Sequence, residues 1–96
     1  MIVQRIVWNV KPGCADKVIE LLLPYLRSED SPLRRVYKPS IGPLDVIVGE
    51  FEFEELGDIP KAWAEWSASP EAAEFMPKWY ELVERGGYVE TWELVE

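Results

Sequence analysis

From Asp58 to Arg85 the chain repeats apolar residues on a helical period twice, and this stretch constrains the fold more than any other. Ile59, Ala62, Trp63 and Trp66 fall at i, i+3, i+4 and i+7, the spacing that puts apolar side chains on one face of a helix. Ala72, Phe75, Met76, Trp79 and Val83 repeat it. Between the two runs, Ser69-Pro70-Glu71 reads as a helix restart: a hydroxyl to cap, proline at the first helical position, a carboxylate in the first turn. Three of the five tryptophans lie here, so this surface is expected to meet whatever the protein packs or binds. Gly86-Gly87 closes the stretch in the manner of a left-handed cap.

The other segments supply strands and one more helix. Ile2 to Val10 reads as a strand with Ile2, Ile6, Trp8 and Val10 on one face and Val3 and Val7 on the other, Gln4, Arg5 and Asn9 interspersed. Asp16 to Arg27 reads as a helix with Val18, Ile19, Leu22, Leu23 and Leu26 inward, and Pro24 is expected to kink or shorten it. Leu33 to Lys38 carries Arg34, Arg35 and Lys38 and ends at Pro39, the marks of an edge strand. Leu44 to Phe53 reads as a central strand apolar on both faces. Tyr88 to Val95, with Glu90, Thr91 and Glu93, suits an edge. The order β-α-β-β-α-β is that of a ferredoxin-like sandwich, α+β with an antiparallel sheet. Right-handed crossovers then place the first and third strands in the centre.

Helices cover one face of such a sheet. An apolar second face needs another cover, and a second copy of the chain is the simplest one. A homodimer packed sheet to sheet is therefore expected.

The 96 residues, 48% apolar and 12% aromatic, suit one globular domain spanning 1–96. The net charge of −8 and the absence of any basic cluster beyond Arg34-Arg35 argue against nucleic acid and against an anionic membrane. Cys14 is alone and histidine is absent, so neither a disulfide, a thiolate metal site nor a histidine base is expected. No metal and no cofactor are expected. No apolar run is long enough to span a bilayer and no signal-peptide pattern opens the chain, so the expected location is cytoplasmic.

Several residues carry two readings. Trp63 and Trp79 are core residues at helical spacing, or walls of an aromatic cavity. Trp8 and Trp92, on adjacent strands, are packing partners or interface residues. Arg5 needs a carboxylate, for which Glu50 and Glu52 are the candidates; it is either a structural ion pair or a ligand anchor facing the cavity. Glu50, inside an apolar strand, is either solvated or a general base with a raised pKa. Tyr37 is half-buried at an edge, or a donor to a ligand carbonyl. Cys14 at a helix start is expected to cap or pack. The acidic runs at Glu50–Glu55 and Glu90–Glu96 read as solvated faces.

At Gly42-Pro43-Leu44, along the strand to Phe53-Glu54-Glu55-Leu56, and from Ser69-Pro70-Glu71-Ala72 through Phe75-Met76-Pro77, the chain resembles the dimeric α/β-barrel superfamily. Within it the pattern is most similar to the NIPSNAP-type proteins, with the antibiotic-biosynthesis-monooxygenase group as near neighbour. The resemblance implies a sheet-to-sheet dimer with a small-molecule cavity between sheet and helices in each subunit. Members include cofactor-free monooxygenases, haem-degrading enzymes, polyketide cyclases, isomerases and proteins of unknown role. The haem-degrading members use an asparagine on the first strand, a tryptophan in the second helical region and a histidine ten residues on. Trp66 matches the tryptophan, but Met76 stands at the histidine and Ile6 near the asparagine, so haem degradation is not expected. The cyclases also rely on histidine.

The expectation is thus a protein that binds a small aromatic or hydrophobic metabolite. Arg5, Tyr37, Trp63, Trp66 and Met76 are the candidate ligand residues and Glu50 the candidate catalytic group. Cofactor-independent monooxygenase or isomerase chemistry is one version; the alternative is a non-catalytic interaction unit whose aromatics fill the interior. The residues name no substrate.

Overall fold

A computed structural model describes all 96 residues. The chain runs β1 (Ile2–Asn9), α1 (Ala15–Arg27), β2 (Leu33–Tyr37), β3 (Val46–Phe53), α2 (Asp58–Ser67), α3 (Pro70–Leu82) and β4 (Tyr88–Glu93). The sheet is antiparallel in the order β2-β3-β1-β4, the ferredoxin-like arrangement with the first and third strands central.

Parity along β3 sets the two faces. Ile47, Gly49, Phe51 and Phe53 are buried, while Val46, Val48, Glu50 and Glu52 alternate with them. The buried set meets Val18 and Leu22 of α1, with Val10 and Leu33 completing a core of seven residues. Ile59 and Trp63 of α2 and Phe75 and Trp79 of α3 pack against that core from the same side. The opposite face has no helix on it. β3 is therefore apolar on one face and mixed on the other, not apolar on both. It also begins at Val46 rather than Leu44, which is 85% exposed in the preceding turn.

The helix restart forms as its sequence dictates. Ser69 is extended at the N-cap, its Oγ accepts from the Ala72 amide at 3.2 Å, and Pro70 opens α3. Pro24 does not shorten α1, which continues to Arg27. Proline leaves one backbone acceptor unmatched there, and the apolar face around Val18 and Leu22 holds the last turn in place.

The end of α3 differs from expectation. The helix stops at Leu82, and Val83 turns extended to form an isolated bridge with Val10. Lys11 donates to the Leu82 carbonyl and Glu84 to that of Asn9, both at 2.8 Å. Pairing with the end of β1 thus unwinds the helix before the glycines. Gly86 and Gly87 have positive φ of 98° and 81°, and a Cβ on Gly87 would sit 2.1 Å from the Val7 carbonyl oxygen. They make the tight return into β4 rather than the helix cap.

Candidate functional site

The helices do not close on the sheet. No residue of α2 is fully buried, and between α2, α3, the end of α1 and the sheet lies a cavity of about 760 Å³. The floor is Gln4, Ile6 and Trp8 of β1 with Phe51 of β3; the walls are Tyr25, Trp63, Trp66, Phe75, Met76 and Trp79.

Six of the aromatic rings form a closed circuit. Trp8 meets Phe51 at 6.3 Å between ring centroids, Phe51 meets Trp63 at 5.0 Å and Trp63 meets Trp66 at 6.3 Å. Trp66 meets Phe75 at 5.4 Å, Phe75 stacks on Trp79 at 5.3 Å, and Trp79 returns to Trp8 at 5.0 Å. All contacts but the stacked one are edge to face, the arrangement the ring quadrupoles favour. Tyr25 braces the circuit against Trp66 and Phe75.

Gly49 makes room for this arrangement. A Cβ there would lie 2.7 Å from Cη2 of Trp8, so the indole lies across β3 where a side chain would otherwise stand.

Two polar groups differ in how they are satisfied. Gln4 is 8% exposed, and its Oε1 accepts from Trp63 Nε1 at 2.8 Å. Trp66 Nε1 is buried with no hydrogen-bond partner. An orphaned donor of this kind costs free energy until something accepts from it. The charged lining residues are Asp30, Glu65 and Glu71, all exposed and so placed at the mouth. No group of three or more Asp, Glu or Cys side chains is placed to hold a metal ion.

Trp63, Trp66 and Met76 therefore line one cavity. Arg5, Tyr37 and Glu50 do not: they lie on the opposite face of the sheet. There Arg35, Glu50, Arg5 and Glu90 form a row across all four strands with alternating charge. Arg5 donates to Glu90 at 3.1 Å and is 3.9 Å from Glu50, so its closer partner is Glu90 rather than Glu50 or Glu52. Arg35 donates to Glu50 at 2.7 Å and to Glu52 at 2.6 Å. Tyr37 donates its hydroxyl to Glu50 at 3.0 Å.

This network reverses the expected chemistry of Glu50. The Arg35 guanidinium, helped by the Tyr37 hydroxyl, holds its carboxyl below the usual range against the opposing effect of burial. A lowered pKa makes a poor general base, so the raised value expected for a carboxylate in an apolar strand does not occur. The same bond to Glu50 raises the pKa of Tyr37. Glu50 and Glu52 are paired rather than simply solvated.

Trp8 and Trp92 are not packing partners. Trp8 faces the helices, whereas Trp92, opposite Val3 in the register, lies on the uncovered face and is 57% exposed. Cys14 stands at the N-cap of α1 and makes no side-chain cap, packing beside the core instead.

Gln4 of β1, Tyr25 of α1 and Phe75 of α3 also line the cavity, and the sequence alone does not single them out. A lone amide on the face that also carries Ile2, Ile6 and Trp8 was the available signal for Gln4.

No family model matches the sequence, and no curated protein matches it. Solved structures do. A NIPSNAP-family protein of unknown function from Agrobacterium tumefaciens superposes with a TM-score of 0.83 at 22% identity, over 97% of this chain and 92% of the other. An uncharacterised NIPSNAP-like domain protein from Burkholderia xenovorans gives 0.83 at 21% identity, over 98% and 84%. An antibiotic biosynthesis monooxygenase gives 0.69 at 15% identity, over the whole of both chains. The chain shares their fold. It is the fold that the sequence resemblance implies, and the identity is too low for the likeness to carry residue roles. No helix is long and apolar enough to cross a membrane.

Proposed function

We propose that this protein binds a planar, largely apolar small molecule in the aromatic-walled cavity, and that it does so as a homodimer packed through the uncovered sheet face. The observation that carries the ligand is the cavity itself, about 760 Å³ and walled by Trp63, Trp66, Phe75 and Trp79 over a floor of Trp8 and Phe51, a size and lining that suit a planar metabolite. An aromatic ligand packs against the surrounding rings. The catalytic version of this function is cofactor-independent monooxygenase or isomerase chemistry.

The dimer rests on the other face. One row of residues across it is Tyr37, Val48, Val7 and Tyr88, and the next is the self-neutralising row of Arg35, Glu50, Arg5 and Glu90. Trp92 and Tyr88 are each 57% exposed and Tyr37 46%. Such a surface can be covered by its own copy without leaving a charge unpaired.

Titration with 9-fluorenone and with fluorene, followed by tryptophan fluorescence and calorimetry, tests the ligand reading. Both compounds are expected to bind, and Trp66→Phe is expected to weaken both. No binding of either compound would defeat it.

A further inference from the structure

Building on the ligand reading above, we infer that the cavity selects organic cations, flat delocalised or quaternary ammonium ions, over neutral and anionic molecules of the same shape. Three observations lead there. The first is the wall. Four indoles line the cavity, and the indole face is the best aromatic partner for a cation that has shed its water. The closed circuit of rings holds the four indoles in place without a ligand.

The second is the charge of the lining. It contains no lysine and no arginine; its charged members are Asp30, Glu65 and Glu71. All four ion pairs of the molecule belong to Arg5 and Arg35 on the far face of the sheet. None of the three carboxylates at the mouth is in an ion pair. Arg34 and Lys61 line an adjoining polar groove that shares Asp30 and Glu65 with the mouth, and there the five carboxylates of Glu29, Asp30, Glu52, Asp58 and Glu65 outnumber the two bases.

The third is what an anion would meet. It would cross an acidic mouth and lose its hydration in a chamber with no basic side chain, which is costly. A cation is drawn in by the mouth and held by the ring faces.

The test uses three probes of matched shape and different charge: 1-methylquinolinium, 1-methylnaphthalene and 1-naphthoate, each titrated into the full chain by calorimetry. The cation is expected to bind about tenfold more tightly than the neutral probe and the anion most weakly. Added salt should weaken the cation alone. The variant D30N/E65Q/E71Q changes only exposed side chains, so it should fold normally, keep its affinity for 1-methylnaphthalene and lose most of the preference. Equal binding of cation and neutral probe, or tighter binding of the anion, would overturn charge selection and leave the cavity as a neutral-ligand site. Failure of all three probes to bind, together with fluorenone, would instead overturn the ligand reading on which it rests.

Discussion

Trp63 on α2 is tied to Gln4 on β1 by a 2.8 Å bond from the indole Nε1 to the amide Oε1, the one side-chain hydrogen bond between the helical layer and the sheet. It fixes one wall of the cavity to the floor. Gln4→Leu keeps the volume and removes the acceptor, leaving a second indole donor unpaired. Loss of about 1–3 kcal/mol is expected, measured by urea unfolding. In the double variant with Trp63→Phe, part of that loss should return, because donor and acceptor then disappear together.

Gly49 and Gly57 make a matched pair of tests. Gly49→Ala places a methyl 2.7 Å from the Trp8 ring, so the indole must move and the strand with it. A cost of about 1–3 kcal/mol is expected, with a changed tryptophan emission spectrum because Trp8 anchors two contacts of the ring circuit. Gly57 has φ of −65° and nothing within 4 Å of an added Cβ. Gly57→Ala should stay within about 0.5 kcal/mol of the parent.

The fold was legible because each element states its own period. The two-piece helix restarting at Ser69-Pro70, the charged second strand and the central third strand all follow from local spacing and punctuation. The cavity was only half legible. Helical spacing shows that Trp63, Trp66 and Trp79 point one way, but the gap they enclose depends on how far α2 stands from the sheet, which no local pattern encodes. Arg5 was a different kind of miss: strand parity alone puts it with Val3 and Val7, opposite Trp8 and away from the helices. The lowered pKa of Glu50 comes from Arg35, whose position beside it is set by strand register and a bulge between Leu33 and Arg35, not by the residues flanking Glu50.

The charged row on the uncovered face gives the protein a defined pH range. Glu50 has a folded pKa below its usual value of 4.5, so its stabilising contribution is present above pH 4.5 and fades as pH falls through the folded value. Tyr37 has a folded pKa above 10.0, so its contribution holds below pH 10 and is lost as pH rises through the folded value. Glu50→Gln should therefore lower stability by about 1 kcal/mol at neutral pH and by progressively less in acid. Melting temperatures of the two proteins across pH would show the gap narrowing below pH 4.5. A gap constant across that range would mean that the Arg35–Glu50–Tyr37 contacts are not formed in solution.

Val48 offers the cleanest separation of assembly from binding. It sits between Tyr37 and Val7 in the uncovered apolar row and contributes nothing to the cavity lining. In a sheet-to-sheet dimer an acid at this position meets its own image or an apolar neighbour, and either outcome costs several kcal/mol of association. Val48→Asp is thus expected to convert a dimer into a monomer in analytical ultracentrifugation at micromolar protein. The aromatic circuit lies across the sheet from it, so fluorenone binding should change little. Loss of the dimer with binding retained would place assembly and ligand on separate faces of one sheet. A wild-type protein that is already monomeric would remove the partner copy, and the row of Tyr37, Val48, Val7 and Tyr88 would then need a different cover.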